Sequence, residues 1–229
     1  MKRRVLVRAG SKLAITAAVV GGMSGCLVGD DQERVVVYGV AEPVRTLVVQ
    51  GHTGDIRVTG GGAAVRVTER RTYRAAEPVA THTTADGTLT LGYRCPDGDC
   101  GVGYDIEVPA GTVVRVENGT GDVTLSGLGA EVDVRTDTGD VRASGLTSPT
   151  VRLQARTGGV SASFRPGPAT VRADTRTGDV RVQVPREGTY AVEAATRTGD
   201  VKVGVAGDDT AARRITARTE TGNVTVGHV

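Results

Sequence analysis

The sequence is poor in the residues that normally fill a thick protein core. Aromatic residues make up 3% of the 229 residues, with one Phe and no Trp, whereas Gly occurs 33 times. Because large globular cores depend on big aromatic side chains, this composition disfavours such a core. It suits a thin core of stacked Val, Ala and Leu. The abundance of Val and Thr favours an all-β fold.

Residues that support common catalytic or cofactor chemistry are also scarce. The three His residues, His52, His82 and His228, lie far apart in the sequence. Neither a nucleophile elbow nor a Gly-rich phosphate-binding or dinucleotide-binding loop occurs. We therefore expect a protein that is not an enzyme and that uses no cofactor and no metal.

Residues 1–25 have the layout of a cleaved secretory signal. Five Lys and Arg residues flank or precede a short apolar run at 13–20, which is shorter than the roughly 18 residues of a membrane-spanning helix. The Met-Ser-Gly before Cys26 resembles a bacterial lipobox, which implies that Cys26 is lipidated and becomes the mature N-terminus. An uncleaved anchor and plain secretion are the alternatives. The general and twin-arginine export routes both remain open.

The signal segment also explains the basic character of the full chain. It holds five of the 28 Lys and Arg residues and none of the 26 Asp and Glu residues, so the mature part is slightly acidic. A nucleic-acid partner therefore gains no support. The expected location is the extracytoplasmic face of the cell membrane. The expected partners are the membrane, through the lipid, and an envelope polymer or surface protein.

Two cysteines remain after Cys26. Cys95 and Cys100 enclose Pro-Asp-Gly-Asp, and Pro-Asp-Gly is typical of a tight turn. An oxidising compartment favours a disulfide between them. A zinc site would need four ligands, and no second Cys or His pair is near.

A short repeat organises the rest of the chain. Thr-Gly-Asp-Val or a close variant occurs seven times, and after the first gap the copies are 18 to 23 residues apart. The Gly residues of the seven copies are Gly54, Gly121, Gly139, Gly158, Gly178, Gly199 and Gly222. A supersecondary unit repeated with variable loops is typical of solenoid proteins.

Alignment on that Gly produces apolar columns on both sides of it. Positions seven and five before the Gly, and two and four after it, are apolar in every copy, and the residues between them are polar except Val48 in the first copy. This alternation predicts a strand, a Thr-Gly-Asp bend, a second strand and a return loop. The sequence thus predicts an all-β protein, a β-solenoid of stacked 18- to 23-residue coils about 4.8 Å apart. A β-sandwich is the alternative.

The predicted domains follow from where the repeat holds. Residues 59–110 break its register, so 36–110 is predicted to be an N-terminal hairpin cap with the first coil. Residues 26–35 are predicted to be a lipidated tether, and 111–229 the repeat solenoid. Because the chain stops soon after the last copy, we expect an incomplete last coil with an exposed edge.

One segment resembles a known family. The run Tyr-Asp-Ile-Glu-Val-Pro-Ala-Gly-Thr at 104–112, followed by Val-rich strands with Thr-Gly-Asp-Val bends, is similar to the bacterial putative-adhesin family of unknown function, of the YvlB type. The resemblance covers roughly residues 40–229. It implies an envelope-exposed β-solenoid, and it implies no catalytic residues.

The bend carboxylates are the candidate site with the most specific pattern. They are Asp55, Asp122, Asp140, Asp179 and Asp200. Stacked coils would bring them close together, and neighbouring carboxylates repel each other. Calcium would relieve this repulsion, but so would the cations two residues further on, Arg57, Arg142, Arg181 and Lys202. We favour a structural bend neutralised by these cations.

A second candidate lies two residues before the Gly. Arg156, Arg176 and Arg197 share that position and are expected to form a short basic ladder. Such a ladder suits anionic glycans or phosphates, or it is simply a solvated face. The functional hypotheses are therefore a non-enzymatic envelope-binding module, a polysaccharide-active β-helix enzyme, and a calcium-stabilised spacer.

Overall fold

The computed structural model describes residues 31–229, so the predicted signal segment and Cys26 lie outside the described residues. The described chain is built from strands that belong to two sheets. They are β1 (Gln32–Val40), β2 (Thr46–Gln50), β3 (Ile56–Gly60), β4 (Val65–Tyr73), β5 (Val79–Ala85), β6 (Thr88–Arg94), β7 (Cys100–Val108), β8 (Val113–Thr120), β9 (Val123–Ser126), β10 (Val132–Thr138), β11 (Val141–Leu146), β12 (Thr150–Thr157), β13 (Val160–Phe164), β14 (Thr170–Thr177), β15 (Val180–Val184), β16 (Ala191–Thr198), β17 (Val201–Val203), β18 (Arg214–Thr221) and β19 (Val224–His228). None of the described residues forms a helix long and apolar enough to cross a membrane.

The strands form two sheets that share one core. Sheet A has the order β1-β4-β7-β3-β9-β11-β13-β15-β19-β17, and sheet B has the order β16-β18-β14-β12-β10-β8-β2-β6-β5. Each coil gives one strand to sheet B, bends, and gives the next strand to sheet A. Neighbouring coils pair in parallel in both sheets, as in β10 with β12 and β11 with β13. The predicted all-β solenoid is therefore confirmed.

The core lies between the sheets and consists of the predicted apolar columns. One column in sheet B runs through Val114, Val132, Val151, Val171 and Ile215, which are paired in register and buried. The intervening residues point outward. In the Thr-Gly-Asp coils these columns hold only Val, Leu, Ile or Ala, so the two sheets can pack closely there. Buried aromatic side chains such as Tyr104 and Phe164 lie outside these positions.

The order of the coils in space differs from their order in the chain. The last coil, β18/β19, is inserted between β14/β15 and β16/β17. The prediction that each coil stacks on the next in sequence is therefore wrong at this end. The predicted incomplete last coil is also wrong, because β18 and β19 are paired on both sides and the edge strands are β16 and β17.

A similar exchange occurs near the N-terminus. Strands β6 and β7 pair in parallel with β2 and β3 and form a further coil, so much of 59–110 belongs to the solenoid. The cap itself consists of β1, β4 and β5, which pair antiparallel. The predicted tether 26–35 is too long, because β1 already begins at Gln32 and pairs with β4.

Candidate functional site

The seven bend glycines stack in one column along the solenoid. Their φ angles lie between 133° and 140°, a region that L-amino-acid side chains rarely adopt. A Cβ on Gly139 would overlap the backbone carbonyl of Gly121, and the same holds along the stack. The bend therefore needs Gly for its backbone angle and also for the close approach of the neighbouring coil.

The residue after each bend glycine forms what we call the Asp ladder. In spatial order it comprises Asp55, Asp122, Asp140, Gly159, Asp179, Asn223 and Asp200. The side chain of one member accepts a hydrogen bond from the backbone N–H of the next. Asp55 Oδ1 accepts from Asp122 N at 2.9 Å, and Asp140 Oδ1 accepts from Gly159 N at 2.7 Å. Asn223 Oδ1 plays the same part for the Asp200 N–H at 3.0 Å.

One cation neutralises the crowded part of the ladder. Arg142 bonds Asp122 Oδ2 at 2.6 Å and Asp140 Oδ2 at 2.5 Å. The N–H of Asp140 and the Arg142 guanidinium lower the pKa of the Asp122 carboxyl below its usual value. The hydrogen bond to Asp122 in turn raises the pKa of Arg142.

The other three predicted cations do not act in this way. Arg57 lies 3.7 Å from Asp105, outside the ladder. Arg181 and Lys202 form no ion pair among residues 31–229. Neutral members reduce the repulsion further along the ladder, because Gly159 separates Asp140 from Asp179 and Asn223 separates Asp179 from Asp200.

In this arrangement the bend carboxylates have a structural role. The carboxylates of Asp55, Asp122, Asp140 and Asp179 each use one oxygen to accept from a backbone N–H group. Asp122 and Asp140 use the other oxygen to bind Arg142. In the part of the chain that the structure describes, no group of three or more His, Cys, Asp or Glu side chains has the arrangement of a metal site.

The predicted basic ladder is interrupted. Arg156 and Arg176 occupy neighbouring strands, β12 and β14, but β18 follows β14 in the sheet and places Glu220 before Arg197. Arg176 lies 3.7 Å from Glu220, and Arg156 lies 3.2 Å from Asp137. The expectation of three adjacent arginines is therefore wrong, because the exchanged coil inserts an acid.

A buried polar column behind the bends was missed in the sequence. Three residues before the bend glycine, Thr175 and Thr219 donate to the carbonyls of Gly158 and Gly178 at 2.8 and 2.9 Å. These bonds tie each coil to the bend of its neighbour. The signal was visible, since this position is Thr in four copies, Thr136, Thr175, Thr196 and Thr219.

The outer face of sheet A carries a second regular pattern, here called the outer row. It lies three residues after the bend glycines, on outward-pointing side chains that alternate with the apolar column residues. In spatial order the outer row is Arg57, Thr124, Arg142, Ser161, Arg181, Thr225 and Lys202. Cations and hydroxyls therefore alternate from strand to strand. Because adjacent strands are about 4.8 Å apart, the cations recur about every 10 Å.

The disulfide takes the place of a bend in the coil β6/β7. Cys95 and Cys100 are bonded, with their Cα atoms 5.6 Å apart. Beside them the Tyr93 hydroxyl donates to the carbonyl of Thr53 at 2.7 Å and accepts from its N–H at 2.6 Å. Coil β6/β7, which lacks a Thr-Gly-Asp bend, is thus joined to the first bend by the two hydrogen bonds of the Tyr93 hydroxyl.

A buried charge cluster holds the cap. Glu69 has no exposed surface, and its carboxylate accepts from the Tyr38 hydroxyl at 2.7 Å and pairs with Arg71 at 2.5 Å. Burial and the adjacent Glu69 carboxylate raise the pKa values of Tyr38 and Tyr104 well above the usual range of tyrosine. Burial opposes the charge on Arg71, but its bonds to Glu69 and Glu77 raise its pKa overall. The cluster joins β1 to β4, and it was not recognised in the sequence although Glu69 continues the inward register of Val65 and Val67.

Solved structures with a similar fold come from bacterial proteins. A putative cell adhesion protein from Clostridium sporogenes is 11% identical, with a TM-score of 0.50, and the match covers 87% of this chain and 100% of that chain. A putative adhesin from Bacteroides fragilis is 16% identical, with a TM-score of 0.51 and coverage of 88% and 99%. At these identities the likeness shows the fold alone. No curated protein matches the sequence.

The family comparison agrees with the resemblance seen in the sequence. The model of the Toastrack DUF4097 family matches residues 2–227, nearly the full length of the chain. The match therefore confirms the resemblance on which the solenoid expectation partly rested. The chain belongs to the Toastrack DUF4097 family.

Proposed function

We propose that this protein is a non-enzymatic, lipid-anchored envelope protein that binds an extended anionic polymer along the outer row. The observation that carries the proposal is the alternation of cations and hydroxyls along the solenoid. A polymer with regularly spaced acidic groups can meet one cation on every second strand. The intervening hydroxyls can donate hydrogen bonds to its sugar or phosphate oxygens.

The lack of ion pairs at two cations of the outer row supports this role. Arg142 is held by two ladder carboxylates, whereas Arg181 and Lys202 are exposed and form no ion pair among the described residues. Ser161 lies between Arg142 and Arg181 on the neighbouring strand. The cations nearest the C-terminal end of the solenoid are therefore available to a ligand.

The anchor fits the same arrangement. If Cys26 carries the lipid, only residues 26–30 separate it from the described chain, and they span at most about 17 Å. The first strand, β1, lies at the capped end of sheet A. The cap would then sit near the membrane, and the outer row would run from the cap towards the opposite end. The adhesion-related names of the two structural neighbours agree with an exposed location.

Polymer binding is tested with the mature chain, residues 26–229 with Cys26→Ser, and dextran sulfate as the probe. We expect binding that weakens with salt, and no binding to uncharged dextran. Arg181→Gln should weaken binding about 3- to 10-fold. Arg152→Gln makes the same change on the outer face of sheet B and should leave binding unchanged. Equal effects of the two variants would contradict a site on sheet A.

Lipidation is tested on the N-terminal peptide of the native membrane-extracted protein. Mass spectrometry should find a diacylglyceryl-modified Cys26 as the first residue. Cys26→Ser should release the protein from the membrane fraction. A peptide that starts at Met1, without modification, would disprove the anchor but leave polymer binding open.

A further inference from the structure

The end of the solenoid opposite the cap leaves core side chains uncovered. Val201 and Val203 of the edge strand β17 are 44% and 47% exposed, whereas Val224 and Val226 at the same positions of β19 are fully buried. In sheet B, Val192 of the edge strand β16 is only partly buried. These uncovered side chains belong to the repeat columns, so one more stacked β coil would bury them.

The backbone of β17 is also open on one side. Asp200 O accepts from Val224 N, and Gly204 N donates to Val226 O, both at 2.8 Å, so these residues face β19. In a parallel ladder alternate residues face the same neighbour, which places Lys202 on the β19 side as well. Val201 and Val203 therefore direct their N–H and C=O groups to the open edge.

The charges on this edge are complementary to those on the same edge of a second copy. Asp200 and Lys202 flank Val201, both are exposed, and neither forms an ion pair among residues 31–229. Asp200 is also the last member of the Asp ladder. Within the described chain no backbone N–H donates to its carboxylate, in contrast to Asp55, Asp122 and Asp140.

We propose that two copies of this chain pair through these edges, antiparallel, about a two-fold axis perpendicular to the sheets. Such an axis lets β17 pair with β17 and β16 with β16 at the same time. Centred on Val201, the pairing satisfies the outward N–H and C=O groups of both copies. It also sets Asp200 of each copy opposite Lys202 of the other. Centred on Lys202, it would oppose two ammonium groups, which disfavours that register.

A second copy fits this edge better than the N-terminal segment of the same chain. The edge β17 is nine strand spacings from β1 in sheet A, about 43 Å. If the chain is processed at Cys26, as proposed above, residues 26–30 reach only about 17 Å. The self-pairing itself does not depend on polymer binding, and it is measured without polymer.

Charge exchange tests the interface. The mature chain with Cys26→Ser, which contains every described strand, is analysed by sedimentation velocity from about 1 to about 200 µM. We expect a reversible dimer. Asp200→Lys and Lys202→Asp should each weaken dimerisation by about 10-fold or more, and the double variant should restore it to within about 3-fold. Arg181→Asp, on the outer face of an interior coil, is the matched control and should leave dimerisation unchanged.

Cross-linking tests the register. In the proposed pairing Val201 of one copy lies opposite Val201 of the other, with about 5.5 Å between the two Cα atoms. A disulfide can bridge that distance. Val201→Cys should therefore form a covalent dimer on mild oxidation, whereas Val203→Cys, opposite Gly199 of the second copy, should not. A wild-type chain that stays monomeric throughout the concentration range, a double variant that fails to recover, or cross-linking at 203 and not at 201 would each overturn the proposal.

Discussion

The backbone N–H of Asp140 donates a hydrogen bond to Asp122 Oδ1 at 2.9 Å, joining bends 18 residues apart in the chain. The same carboxylate bonds Arg142 through Oδ2. The Asp122 side chain thus holds the backbone of the next coil and the Arg142 guanidinium of the outer row. Removing either bond should loosen the stack locally. Substitutions of Asp122 distinguish the contribution of the backbone bond from that of the Arg142 bond.

Asp122→Ala should lower the free energy of unfolding by about 1–2 kcal/mol, because the Asp140 N–H loses its acceptor and Arg142 loses a partner. Asp122→Asn should cost less, about 0.5 kcal/mol, because an amide oxygen can still accept, as Asn223 does for Asp200. Asp137→Ala removes only an exposed pair with Arg156 and serves as the control. Urea denaturation gives the three values. Equal losses for Ala and Asn at 122 would show that the backbone bond contributes nothing.

The pH dependence of stability should also report on Asp122. Its pKa is lowered in the folded protein, so its carboxylate stabilises the fold fully above the unfolded-state pKa of about 4. That stabilisation is lost as the pH falls through the lower pKa of the folded state. The stability difference between wild type and Asp122→Asn should therefore be constant from about pH 8 to pH 5 and shrink below about pH 4. Because the group is partly exposed, the difference should stay under about 1 kcal/mol. A difference that grows towards low pH would reverse the sign and refute the assignment.

The bend glycines should tolerate no side chain. Gly139→Ala places a Cβ against the carbonyl of Gly121 at a φ of 134°, so we expect a loss of more than about 3 kcal/mol or failure to fold. Gly145 also has a positive φ, of 59°, but a Cβ added there would meet no atom within 4 Å. Gly145→Ala should therefore cost only about 1 kcal/mol. Thermal denaturation followed by circular dichroism compares them, and similar melting temperatures would contradict close contact between the bends.

The buried Glu69 cluster should matter more than the surface ion pairs. Glu69→Gln removes the charge that pairs with Arg71 in the buried cap, and we expect a loss of about 1–3 kcal/mol. Glu107→Gln affects a carboxylate that lies 4.0 Å from Arg66 on the surface, and should change stability by less than about 0.5 kcal/mol. Chemical denaturation of both variants decides the matter. The cluster would be dispensable if the two losses were alike.

The sequence predicted the columns of the fold but not the order of the coils. Val132 and Val151 were assigned to one column because the period-two pattern identifies the inward positions. The pattern carries no information on which coil lies beside which, since every coil offers the same column residues. The lengths of the segments 59–110 and 204–213 allowed the exchanges, and their paths depend on tertiary packing.

The coil order also decided which charged residues were placed correctly. Arg156 and Arg176 were placed correctly as neighbours, because β12 and β14 follow the chain order. Arg197 was misplaced, because the exchanged coil puts Glu220 before it in the sheet. The clue was the sign of charge: among the last four copies Glu220 is the one acid at a position that is otherwise Arg, and it relieves repulsion best if it sits between two of the arginines.

The exchange of the last two coils has a consequence for biosynthesis. Strands β16 and β17 contact the rest of the solenoid mainly through β18 and β19, which are made after them. A nascent chain that has emerged only as far as residue 213 would hold segment 191–203 without its native neighbours, β18 and β19. The C-terminal coil β18/β19 is therefore a spacer between two coils that are made before it, and β16 and β17 can reach their final positions only after residues 214–229 have been synthesised.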